Sequence, residues 1–267
     1  MYKLGGDRLS GTHMLKSLHP SLRLLAITTA VCCSWGGPAL AAEQPLDLSG
    51  IWGMYIEPGQ SPFAGFGASL DLPFTPEGRK RVEAYRALVT PASDNPGAHC
   101  LGSGMPESMM FSGAYPMEII QRPEQITIVY EAHAEIRRLY LGNKVLPEGD
   151  RLPGRNGYSA ARWEGGTLVV ETTSLREQED QMYPHGEQAR IVERYHVVTD
   201  ANGGRVLIAE MTLTDPLFYT KPVTATKKWL LDPKGVLLPY ECNEEAWLDR
   251  LKQLKNEQPK VRQKTAR

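Results

Sequence analysis

The 267-residue chain is notable first for the signatures it lacks. It has no Gly-x-Gly-x-x-Gly and no Gly-x-x-x-x-Gly-Lys-Ser/Thr, so neither a dinucleotide fold nor a phosphate loop is indicated. Gly65-Phe66-Gly67 lacks both the third glycine and the flanking strand and helix. A Gly-x-Ser-x-Gly elbow and a His-Glu-x-x-His helix are also missing. There is no internal repeat, no low-complexity tract and, beyond the N-terminus, no apolar run long enough to span a bilayer. Charge of one sign is lacking too: 30 basic residues face 31 acidic ones, for a net charge of −1. Composition is that of an ordinary globular domain, with 41% hydrophobic and 23% charged residues, and mean hydropathy is −0.36.

The N-terminus reads as a secretion signal. Lys16 and Arg23 precede an apolar stretch from Leu24 to Leu40, which ends in the small-x-small pattern Ala39-Leu40-Ala41. Cleavage near Ala41 makes the protein periplasmic or secreted. An uncleaved anchor is the rival reading, but Pro38 and two glycines break the stretch early. Losing residues 1–41 removes four basic residues (Lys3, Arg8, Lys16, Arg23) and one acid (Asp7), which moves the net charge from −1 to −4. That argues against nucleic acid as a partner, and no integral membrane segment is expected after cleavage. The rest reads as one domain over residues 42–251, followed by a basic, disordered tail at 252–267 with six basic residues and one acid. Two cysteines survive processing. An even count in an exported chain suggests a Cys100–Cys242 disulfide. Two buried thiols or a metal pair are the alternatives.

Strand signals dominate the mature chain. Ser49–Ile56 reads as a first strand and Glu57–Ser69 as a loop. Thr75-Pro76-Glu77 opens a helix through Lys80–Val89, and Thr90–Tyr115 is again loop. Gln125–Glu131 alternates, with His133–Leu141 as its expected partner. Three hairpins follow. Tyr158–Trp163 and Thr167–Thr173 flank Glu164-Gly165-Gly166. Arg190–Val198 and Arg205–Thr214 flank Asp200–Gly204. Thr224–Leu231 and Val236–Cys242 flank Asp232–Gly235. Glu244–Leu254 reads as a closing helix. Serial hairpins without intervening helices predict a mostly β fold, an antiparallel meander of about eight strands closing into a lipocalin-like β-barrel, with one N-terminal and one C-terminal helix. An open sandwich is the alternative.

Alternation also nominates site residues. Thr167, Val169, Glu171 and Thr173 share one strand face, and so do Ile191, Glu193, Tyr195 and Val197. A carboxylate projecting inside needs a partner such as Arg137, Arg138 or Arg194. The plain reading is a structural ion pair bracing the barrel; the sharper one is a catalytic or ligand-orienting carboxylate. His185, in the loop Tyr183–Glu187, is the first candidate for acid–base work, with Glu171 and Glu193. Arg138, Arg194, Trp163, Tyr158 and His133 are candidate ligand contacts, with Glu131, His133 and Glu135 expected on one strand face. No two histidines sit at metal-pair spacing, and no metal or cofactor is expected.

Several blocks resemble a broad set of exported, largely uncharacterised bacterial proteins. They are Asp47–Trp52, Tyr115–Gln121, Arg162–Thr173, Val192–Tyr195 and Asp215-Pro216. Gly166 stands where that set leads one to expect Asp, and His185-Gly186-Glu187 where a His-Ser-Glu-like run is expected. The resemblance implies export and a β-rich fold, and it carries no activity.

Three functions fit these features. The first is an exported protein binding a small, mostly apolar molecule in a barrel lumen. The second is a cofactor-free lyase, isomerase or hydrolase using His and Glu acid–base chemistry there. The third is an envelope-assembly module with no small ligand.

Overall fold

The computed structural model describes residues 46–57, 59, 71–89, 95–111, 115–242, 248–249, 251–253 and 256. The expected signal segment, most of the Glu57–Ser69 loop and most of the basic tail lie outside the described residues. So does half of the expected closing helix, of which residues 248–249 and 251–253 are helical.

Nine strands follow one another around a closed barrel: β1 (Gly50–Met54), β2 (Met117–Arg122), β3 (Gln125–Tyr130), β4 (Glu135–Leu141), β5 (Tyr158–Glu164), β6 (Thr167–Thr173), β7 (Arg190–Thr199), β8 (Arg205–Thr214) and β9 (Val223–Asp232). The first two predicted hairpins are β5–β6 and β7–β8. The third is not formed. After Asp232 the chain runs through Val236–Cys242 without strand pairing, because the free edge of β9 is taken by β1, from Ile51 opposite Asp232 to Met54 opposite Trp229. That pairing closes the barrel and leaves no exposed edge. The 236–242 segment is held instead by the Leu238 amide donating to Glu131 and by the Cys100–Cys242 disulfide.

Two other departures have local causes. β4 and β5 pair in parallel, so the chain crosses back over the outer wall through residues 142–157. The Tyr158 hydroxyl anchors that crossover, accepting from the Leu146 amide and donating to the Lys144 carbonyl. β4 starts at Glu135 rather than His133 because His133 and Ala134 are left-handed, with φ of 58° and 48°. Glu131, His133 and Glu135 therefore do not share a strand face. The N-terminal helix, α1 (Pro76–Leu88), starts as its sequence predicts, with Thr75 capping the Gly78 amide and Pro76 in the first turn. Gly78 lets α1 touch the barrel's loops, since a Cβ there would lie 2.6 Å from the Phe218 carbonyl oxygen.

The two ends of the barrel differ. One carries the tight turns at 123–124, 165–166 and 200–204. The other carries the long segments 95–111, 174–189 and 215–222, including a short helix, α2 (Glu107–Met110). Residues 174–189 fold inward over this loop end and bury Leu175, Gln178, Gln181, Tyr183, His185 and Ala189. Inside, Trp52, Trp229, Tyr130, Tyr195, Met109, Met117, Ile126 and Ile128 are all buried. Each such aliphatic or aromatic side chain contributes about 1.5–3 kcal/mol on leaving water. Among the described residues no helix is long and apolar enough to cross a membrane.

The disulfide spans 142 residues of sequence. On the chain-entropy model it constrains the unfolded chain by about 5 kcal/mol. Reduction, or the Cys100→Ala/Cys242→Ala pair, is therefore expected to lower the melting temperature by well over 5 °C, on the order of 2–4 °C per kcal/mol for a domain this size. Differential scanning calorimetry with and without reductant measures it, and an unchanged transition would contradict the assignment of a stabilising role.

Candidate functional site

Four neighbouring strands, β4 to β7, send polar side chains to one point inside the barrel. Arg137 meets Glu193 in a two-pronged pair, with one guanidinium nitrogen 2.9 Å from each carboxylate oxygen. Its other donors reach the Ser159 hydroxyl at 3.1 Å and the Thr172 hydroxyl at 2.8 Å. Tyr195 donates to Glu193 at 2.7 Å. Arg137 and Glu193 are 1% and 0% exposed, which decides that no ligand in solution reaches them without the barrel opening. Burial opposes the guanidinium charge, yet the Glu193 carboxylate together with the Tyr195 and Tyr130 phenols outweighs it and holds Arg137 above its ordinary range. Burial, reinforced by Glu193, drives the Tyr195 phenol well above its usual value, so it stays a donor. This is a satisfied structural network with no free acceptor or donor aimed at a guest.

Of the three arginines offered by sequence as partners for an inward carboxylate, only Arg137 has inward parity. Arg138 and Arg194 are exposed on the outer wall, and Arg194 pairs with Glu164 at 3.0 Å. Glu171 lies opposite Val192 on the outer face, 2.6 Å from Arg190. Trp163 faces inward near the tight turns and packs on the core. Arg138 and Tyr158 border one outer groove of about 300 Å³ at the β4–β5 seam, where Tyr158 stacks on Tyr140 with ring centroids 4.9 Å apart. His133 sits against the Tyr240 ring, at 4.9 Å.

His185 lies within the folded-in loop, in a small antiparallel bridge with Gln178. Its Nδ1 is 3.0 Å from the Tyr183 carbonyl, and its Nε2 has no partner among the described residues. Burial pushes its pKa below the ordinary 6.5, against weaker opposition from the Tyr183 carbonyl, Asp215 and Asp180. Nearby, Ser103 accepts through its carbonyl from Gln178, Gln181 and Arg155, and Arg155 pairs with Asp180 at 2.6 Å. Glu107 accepts from the Met182 amide, and burial pushes its pKa up. The structure thus distributes the three acid–base candidates: Glu193 inside, Glu171 outside and His185 in the plug. Among the described residues no hydrogen bond joins any two of them, and no group of three His, Cys, Asp or Glu could hold a metal ion.

One inward residue escaped the sequence reading. Lys227 on β9 lies opposite Ala209 on β8, and antiparallel partners point to the same face. The neighbouring pairs on that face are Met211 with Ala225 and Leu207 with Trp229, all core or core-packed side chains. No carboxylate pairs with Lys227 among the described residues, and burial alone pushes its amine below the ordinary 10.5. On β9 and β1 the inward side chains of Lys227, Ala225 and Met54, and of Leu231 nearer the tight turns, keep partial solvent contact, whereas Trp52, Trp229, Ala209 and Met211 are sealed. A lone, part-exposed amine thus faces inward on the β9–β1 side of the barrel. The signal was available: alternation through Thr224–Leu231 puts Ala225, Lys227, Trp229 and Leu231 on one face, so a single cation interrupts an otherwise apolar row.

Comparison with protein-family models, with curated proteins and with solved structures finds no match to this chain.

Two outcomes test this geometry. Arg137→Met leaves Glu193 buried without its partner and is expected to cost about 3–5 kcal/mol in urea denaturation, with much of that recovered in Arg137→Met/Glu193→Leu. Equal loss in both variants would mean the pair is not the source. For His185, the unfolded chain takes up a proton that the folded chain refuses. Stability is thus unaffected well above pH 6.5 and declines as the pH falls through it, until the folded imidazole also charges. His185→Gln is expected to flatten that decline between pH about 7.5 and about 5.5.

Proposed function

We propose that this protein is an exported, periplasmic or secreted binding protein that holds a small, mostly apolar molecule at the loop-end mouth of its barrel. Export rests on the charged, apolar and small-residue order of residues 1–41 and on the resemblance of the mature blocks to exported bacterial proteins. The binding reading rests on one observation above all: the solvent-touching corner where Met54, Ala225 and Lys227 face inward. Apolar walls with one polar anchor are the usual make-up of a small-molecule site. The centre of the lumen is a poorer site, because the Arg137 network and the buried aromatic and methionine side chains occupy it.

An amine kept half in the core without a counter-charge costs stability, and such a cost is tolerable where a ligand uses the group. Lys227→Met, which keeps the length of the side chain and removes the charge, is therefore expected to raise the melting temperature of the empty protein by a few degrees and to abolish retention of a co-purifying small molecule. Native mass spectrometry of protein purified from its own host, wild type against variant, reads the second effect. A variant that melts lower and retains the same ligand would overturn this reading.

A further inference from the structure

We infer that the molecule held at this mouth is a monocarboxylic amphiphile whose single anionic head pairs with the Lys227 ammonium while its apolar body lies against the β9–β1 side of the interior. This rests on the binding function proposed above and specifies its ligand. The immediate surroundings of Lys227 argue for an anion. Arg137, the deeply buried cation, is fully matched by Glu193, whereas Lys227 has no acidic partner among the described residues and no neighbouring charge that perturbs it. An incoming carboxylate supplies the missing counter-charge in a part-desolvated place, where such a pair is worth more than at the surface.

Space and shape agree. The lumen-facing neighbours of the amine are Ala209 across the pair and Ala225 and Trp229 along β9, and the two alanine side chains end at Cβ. Met54 on β1 lies opposite Trp229, and α2 with Met109 and Met110 packs against β9. An amine flanked by two alanines on one side and by tryptophan and methionine surface on the other fits a polar head followed by an apolar body. One amine also limits the head to one charge, because a doubly charged phosphate would leave half its charge uncompensated. Covalent capture of a carbonyl compound is the less favoured chemistry. Imine formation needs a group to move protons at the amine, and no described ionisable group interacts with Lys227.

Isothermal titration of the full exported chain tests this with dodecanoate and 1-naphthoate, each set against its neutral alcohol and, for the alkyl series, against dodecyl phosphate. At least one acid is expected to bind about tenfold tighter than its alcohol, a difference of ~1.4 kcal/mol, and tighter than the phosphate. Lys227→Met is expected to abolish the preference of the acid over its alcohol, and Lys227→Arg to retain it. Equal binding of acid and alcohol in wild type, or an acid preference that survives in Lys227→Met, overturns the carboxylate assignment. If every acid fails but a neutral co-purified molecule is lost on Lys227→Met, the ligand class is wrong and the binding site stands. If no probe binds and nothing co-purifies, both readings fall together.

Discussion

The pairing of Arg137 with Glu193 is the constraint around which the interior is organised. It joins β4 to β7 across two intervening strands, and Ser159 on β5 and Thr172 on β6 fill the remaining donors and acceptors. A guanidinium and a carboxylate taken out of water lose several kcal/mol of hydration each, and recover it only if every polar atom is matched in good geometry. The requirement is therefore one of register. A one-residue slip of any of these four strands would turn its polar group outward and strand the others. The same pair consumes the middle of the lumen, so a guest must be sought toward one end.

The ends divide that role unequally. Tight turns close one end with little chain. At the other, the 174–189 segment folds inward and brings polar side chains with it, including His185, Gln178 and Gln181. Their donors are served by backbone carbonyls such as those of Ser103 and Tyr183, so this plug is a buried polar layer rather than an open loop. Beside β9 and β1, Lys227, Ala225 and Met54 face inward and keep partial solvent contact. The seam that closes the barrel thus also carries a part-exposed inward cation.

Much of the architecture was legible because strand signals are local. Val, Ile and Thr alternation with Gly- and Asn-containing turns marks β5–β6 and β7–β8 within a residue or so, and Thr75-Pro76-Glu77 marks the start of α1. The parallel β4–β5 pair was not legible, since the 142–157 crossover has no local signature distinguishing it from a long hairpin loop. Nor was the fate of Val236–Cys242, whose apolar residues read as a strand but whose would-be partner was already engaged by β1 at the far end of the sequence.

For the site, alternation by itself determined which residues share a face: it placed Glu193 with Tyr195 and apart from Arg194. The even cysteine count likewise pointed to the Cys100–Cys242 bridge. Only the tertiary structure decided which face is inside, which arginine meets which carboxylate, and that His185 is shut into a plug while Lys227 borders solvent. The reason is physical. Parity along a strand is set by backbone geometry every two residues, whereas burial and pairing depend on strands tens of residues apart meeting in one register, and that register is fixed only when the barrel closes.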